Sequence, residues 1–181
     1  MPHQWLEVNL NAASPQQLQA LPLAIVDPLI HQVLAGSWRA WFYSLYLDSQ
    51  TCQLRLRVLW QESATADHEK VATFLNVAQG DGLIVDWYPG SQGERGKTYP
   101  GEADDYGPEM WPVTYQNWMS GCEMALVILK HRTEGTLSKP LEYHWSRRLH
   151  MFTNPLGLTL QQEVQLCVMQ ARGYGWRPTD G

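Results

Sequence analysis

The strongest constraint on this chain lies in Gln53-Leu54-Arg55-Leu56-Arg57-Val58-Leu59-Trp60, where apolar and polar side chains alternate. A period of two is the geometry of an extended strand, whose successive side chains leave opposite faces. Leu54, Leu56 and Val58 then share a buried face, and Arg55 and Arg57 stand side by side on the other. Two neighbouring guanidiniums can clamp a carboxylate or an enolate oxygen. The plainer alternative is the solvated face of a half-buried strand.

Further strands are predicted at residues 5–10, 38–47 and 83–88, the second joined to residues 53–60 by a polar loop of hairpin length. Helices are announced at Ser14-Pro15 and Asp27-Pro28, each an N-cap residue followed by proline, and the second is expected over residues 28–35, before Gly36. Residues 66–77 form an amphipathic helix with Val71, Phe74, Leu75 and Ala78 on one side. The order β-α-β-β-α-β predicts an α+β fold, a ferredoxin-like four-stranded antiparallel sheet. Residues 89–112, rich in Gly, Pro and acidic side chains, read as a long, less ordered loop bordering a groove. About three C-terminal helices follow, over residues 113–130 (with Trp118, Cys122, Ala125 and Leu129 at helical spacing), 139–152 and 159–172. No linker or repeat divides residues 1–181, which are read as a single domain.

A chain of 181 residues, 44% hydrophobic, can bury one sizeable core. Nine Trp and eight Tyr against three Phe favour amphipathic rings, suited either to a wet groove or to an aromatic core. The net charge of −5 argues against a nonspecific nucleic-acid binder. Cys52, Cys122 and Cys167 make neither a zinc spacing nor a disulfide framework, and Cys122 reads as a packed thiol. The six histidines include no i, i+4 pair, so no metal site is expected, and no Gly-rich phosphate turn calls for a cofactor. With no apolar run of roughly 18 residues and no secretory signal at Met1-Pro2-His3-Gln4, a cytoplasmic location away from membranes is expected.

Three segments in order carry a resemblance: Trp41 to Tyr46 with Leu54-Arg55-Leu56-Arg57, then Tyr99 with Glu102, Tyr106 and Gly107, then His150-Met151 with Asn154. Together they resemble the C-terminal domain of lantibiotic dehydratases, also seen in thiopeptide-type bacteriocin biosynthesis proteins. The resemblance implies action on a ribosomal precursor peptide, either elimination of glutamate from glutamylated Ser or Thr (a lyase) or a [4+2] cyclisation. It implies anion stabilisation by Arg55 and Arg57, acid/base work by His150, and substrate contacts from Trp41, Tyr43, Tyr99, Glu102, Tyr106 and Asn154. A glutamyl-transferring or other pathway enzyme, and a second copy of the chain as a homodimer, are admitted as further partners. Two positions depart from the family pattern, Asp105 and Pro155, each where an Arg is expected. The alternative reading is a noncatalytic peptide-binding or partner subunit of a peptide-modifying complex.

Overall fold

The computed structural model describes residues 5–47, 51–61 and 67–140, with residues 143, 144, 147, 159, 161, 162, 164 and 165 beyond them. The chain forms two compact units, Met1–Thr133 and Glu134–Gly181.

The first unit is α+β. Strands β1 (Trp5–Asn11), β2 (Trp38–Leu47), β3 (Cys52–Trp60), β4 (Asp86–Ser91) and β5 (Glu94–Arg95) make one antiparallel sheet in the order β2-β3-β1-β4-β5. The sheet therefore has five strands where four are predicted. The added strand arises because Gly90 and Ser91 turn to pair with Arg95 and Glu94.

One face of the sheet carries Leu6, Val8 and Leu10 of β1 beside Leu54, Leu56 and Val58 of β3. This face packs against the helical run that begins with α1 (Pro15–Leu21) and against α2 (His68–Gly80), whose Val71, Leu75 and Ala78 are buried. Ser14 caps α1 as its sequence predicts, its Oγ accepting from Gln17 N–H at 3.1 Å with Pro15 at the first helical position. The separate helix expected over residues 28–35 is instead part of a continuing helical path. Asp27 is helical rather than a cap, and π-helical stretches occupy Pro22–Val26 and Leu29–Val33. Proline removes an i→i−4 hydrogen bond, and a wider π turn absorbs the defect without ending the helix. The bonds Asp27 N–H to Pro22 O and Leu34 N–H to Leu29 O span that wider turn.

Residues 89–112 are not a structureless loop. They contain the end of β4, all of β5, the short helix α3 (Ala103–Tyr106) and the start of α4 (Met110–Thr133). Buried Tyr99 and Trp111 supply the apolar area that anchors this stretch. β4 begins three residues later than the predicted strand, since Leu83 and Val85 are exposed and pairing starts at Asp86.

Helix α4 turns Trp111, Tyr115 and Leu126 inward, with Trp118 and Cys122 half-buried beside them. The Cys122 thiol accepts from Tyr43 N–H at 3.4 Å and donates to Tyr43 O at 3.7 Å, so it sits against the edge of β2 where a further strand would otherwise pair.

In the second unit Tyr143, His144, Arg147, Gln161, Gln162, Val164 and Gln165 are helical, inside the two predicted C-terminal helices. His150 and Asn154 lie outside the described residues.

Candidate functional site

The second face of the sheet is polar along its middle and aromatic at one end. Antiparallel register builds it in rows. Asn11, Gln53 and Tyr46 form one row; Tyr88, Asn9, Arg55 and Ser44 the next; Glu7, Arg57 and Phe42 the third. Side chains that pair across neighbouring strands point the same way. Arg55 and Arg57 therefore do share this face, as their spacing predicts.

Each guanidinium is held by its own partners. Arg57 is 5% exposed, and its Nε donates to Glu7 Oε2 at 2.8 Å. Its Nη1 is 3.5 Å from Ser44 Oγ, and its Cζ lies 4.9 Å from the Tyr99 ring centroid and 5.3 Å from that of Phe42. Burial is the largest single effect and works against the charge, but the Glu7 carboxylate, Tyr99 and Tyr46 together more than offset it, and the group is held above its ordinary range. Arg57 is thus a permanent buried cation. Arg55 is half-buried. Its Nε donates to Gln53 Oε1 at 2.8 Å, and its Cζ sits 3.9 Å above the Tyr46 ring. Gly93 makes room for it: a Cβ there, at φ +82, would meet Arg55 Nη2 at 2.8 Å. Gln53 also donates to Tyr88 Oη at 3.0 Å, and Tyr88 Oη donates to Gly93 O at 2.8 Å.

Two buried polar groups on this face have no hydrogen-bond partner among the described residues. One is Glu7 Oε1; the other is the whole side-chain amide of Asn9, which is 0% exposed. Buried polar atoms are normally hydrogen-bonded, so each of these calls for an explanation.

At the aromatic end, Trp5 is the hub. Its ring lies 5.5–5.7 Å from those of Phe42, Tyr99, Trp111 and Tyr115. Tyr99 donates its hydroxyl to Glu102 Oε1 at 2.8 Å. Burial and that hydrogen bond hold the phenol above its ordinary value despite the nearby Arg57 charge. Tyr106 is exposed and stacks on Trp111 at 6.0 Å. Gly101 lies against both Trp5 and Trp111, since a Cβ at its φ of +84 would come within 3.0 Å of Trp111 Nε1 and 3.2 Å of Trp5 Nε1.

The structure brings Arg57, Tyr99 and Glu102 into one chain of contacts, with Arg55 in the adjoining row and Tyr106 on the far side of Trp111. Trp41 and Tyr43 stack on each other on the opposite, helix-covered face, and Trp41 is fully buried there. Those two rings do not share a site with Arg57. Sequence reasoning passed over Glu7, Asn9 and Trp111. The signal for the first two was present, because Glu7, Asn9 and Asn11 recur at every second position of β1 and so share one face.

A cleft of about 210 Å³ adjoins this end of the sheet, between Trp5 and Glu7 on one side and Lys97, Thr98 and Tyr99 on the other. Among the described residues no three His, Cys, Asp or Glu side chains cluster to hold a metal ion, and no helix is long and apolar enough to cross a membrane.

The chain that forms this sheet belongs to a known class of domain. The family described as lantibiotic biosynthesis dehydratase C-term matches residues 5–177, and the chain belongs to that family. Among solved structures it is similar to the crystal structure of the tRNA-dependent lantibiotic dehydratase MibB from Microbispora sp. 107891, with a TM-score of 0.58 and 17% identity. That match covers 73% of this chain and 12% of the other, and it is a likeness of fold. No curated protein matches the chain.

Proposed function

We propose that this chain tailors a ribosomally synthesised, post-translationally modified peptide by an elimination or a cyclisation on the polar face of its sheet. Family membership supports the pathway. The observation that carries the chemistry is Arg57, a buried cation fixed between Glu7 and Tyr99 with Arg55 in the next row. In the elimination version a base takes the Cα proton of an O-glutamylated Ser or Thr. The Cβ–O bond then breaks, and glutamate departs as its carboxylate. Negative charge on the intervening enolate and on the leaving group is the kind that a preorganised guanidinium stabilises. His150 is proposed as the group that moves the proton. Tyr99, Glu102, Tyr106 and Asn154 are proposed to contact the peptide. Trp41 and Tyr43, lying under the helices, are left to support the sheet.

At the level of topology, we read β2-β3-β1-β4 with its two helical crossovers as a ferredoxin-like core to which β5 has been added. A cytoplasmic location suits a precursor-peptide substrate, and Cys52 and Cys122 take part in no disulfide.

One observation favours the noncatalytic reading. Glu7 already balances the charge of Arg57, which leaves less net cation for an anionic substrate. The two readings separate on whether the purified protein, with its pathway partners, changes the mass of a modified precursor peptide.

A further inference from the structure

The two arginines of the polar face are held in unlike ways. Arg57 has a carboxylate of its own, Glu7, so its charge is balanced inside the sheet. Arg55 has none: among the described residues no carboxylate lies within ion-pair distance of its guanidinium. Its Nε donates to Gln53 Oε1 at 2.8 Å and its Cζ rests 3.9 Å over the Tyr46 ring, while Nη1 and Nη2 donate to no described residue. A guanidinium fixed through Nε and one face of its plane keeps both Nη groups as a fork for an oxyanion.

Holding so long a side chain in one place costs rotamer freedom, and Gln53 supplies the grip. Gln53 is buried, and arginine can only donate, so the amide oxygen must face Arg55. That leaves Nε2 to donate to Asn11 Oδ1 and to Tyr88 Oη, each at 3.0 Å, and Tyr88 donates onward to Gly93 O at 2.8 Å. Gly93 lies in the tight turn between β4 and β5, where Gln92 and Gly93 have φ of +53 and +82, the left-handed pair of a two-residue hairpin. The turn comes up against both groups, since a Cβ at Gly93 would meet Arg55 Nη2 at 2.8 Å and Gln53 Oε1 at 3.7 Å. One amide therefore ties β1, β4 and the turn before β5 to the Arg55 guanidinium.

We propose that Gln53 is the positioning residue for Arg55, and that Arg55, so held, meets the anionic group of the substrate while Arg57, tied to Glu7, acts from inside the sheet. This assignment rests on the peptide-tailoring reading and deepens it by giving the two arginines different work. A cation aimed before the substrate arrives needs no reorganisation when negative charge develops, and a displaced one loses much of its effect.

The test uses the full chain and two readouts. In a proton–nitrogen correlation spectrum the Arg55 Nε–H, assigned as the peak missing from Arg55→Lys, should exchange slowly with solvent, and in Gln53→Leu it should exchange about tenfold faster or more. With modified precursor and pathway partners, Gln53→Leu should slow turnover about tenfold at saturating peptide. In the Arg55→Ala background the same substitution should cost nothing further, whereas a residue that merely supports the sheet would lower activity in both backgrounds alike. Should Gln53→Leu prove unfolded, Tyr88→Phe, which removes only the hydroxyl between Gln53 and Gly93, should shift both readouts in the same directions. Two results would overturn the proposal: Arg55 Nε–H exchange unchanged by the substitution, or losses that multiply in the double variant. Unchanged exchange beside normal peptide modification would leave the tailoring reading standing. Faster exchange in Gln53→Leu, with no mass change by the natural chain, would sink the tailoring and leave Gln53 as the residue that holds Arg55.

Discussion

Arg57 and Glu7 face each other across β3 and β1, and the guanidinium Nε is 2.8 Å from the carboxylate Oε2 in a site almost closed to water. The contact joins the sheet's stability to its chemistry, because the same cation anchors Tyr99 and faces the proposed substrate surface.

Breaking this pair from one side leaves a buried charge without its counterion. Glu7→Ala should lower unfolding free energy by about 3–5 kcal/mol. Glu7→Leu combined with Arg57→Met should recover much of that loss, because apolar groups of similar size need no counterion. Urea unfolding of the two variants against the natural chain measures both.

Gly101 is predicted to resist substitution for two reasons at once. Its φ of +84 is unfavourable for a side chain, and a Cβ would press on Trp111 Nε1 at 3.0 Å and Trp5 Nε1 at 3.2 Å. Gly101→Ala should destabilise by about 1–3 kcal/mol. A thermal unfolding scan showing no loss would mean that the two indoles move aside freely.

Tyr99 gives a pH signature with a definite sign. Its folded-state pKa is raised above the ordinary 10.0, first by burial and then by the hydrogen bond to Glu102, against the opposing Arg57 charge. Its contribution is therefore complete below pH 10.0 and lost as the pH rises above that value towards the folded pKa. The stability difference between the natural chain and Tyr99→Phe should shrink when denaturation is repeated above pH 10.0. A difference that grows with pH would show that the phenol ionises more easily in the folded protein.

The local alternation of β3 was readable, and it placed Arg55 and Arg57 on one face correctly. Their partners were not readable in the same way. Glu7 meets Arg57 because β1 pairs with β3 in a particular register, and a register between strands fifty residues apart depends on the whole sheet rather than on either segment. The same limit explains Trp41 and Tyr43, whose face follows from β2 pairing although their aromatic character suited either side. Residues 89–112 misled through composition. Glycine and proline suggested a loop, while Tyr99 and Trp111 within it carry enough buried area to order a strand, a turn of helix and the start of α4. Asp27-Pro28 similarly suggested a new helix start, where the helical path in fact continues through π turns.

The central claim is that the arginine-bearing face acts on a peptide, and the most direct measurement is mass spectrometry of a modified precursor incubated with the purified chain and its pathway partners. A mass change is expected with the natural chain. Arg55→Ala and Arg57→Lys should each slow it, on the order of 10²-fold for loss of a preorganised donor, while both remain folded. Unchanged turnover in both arginine variants, or no mass change with any combination of partners, would contradict it.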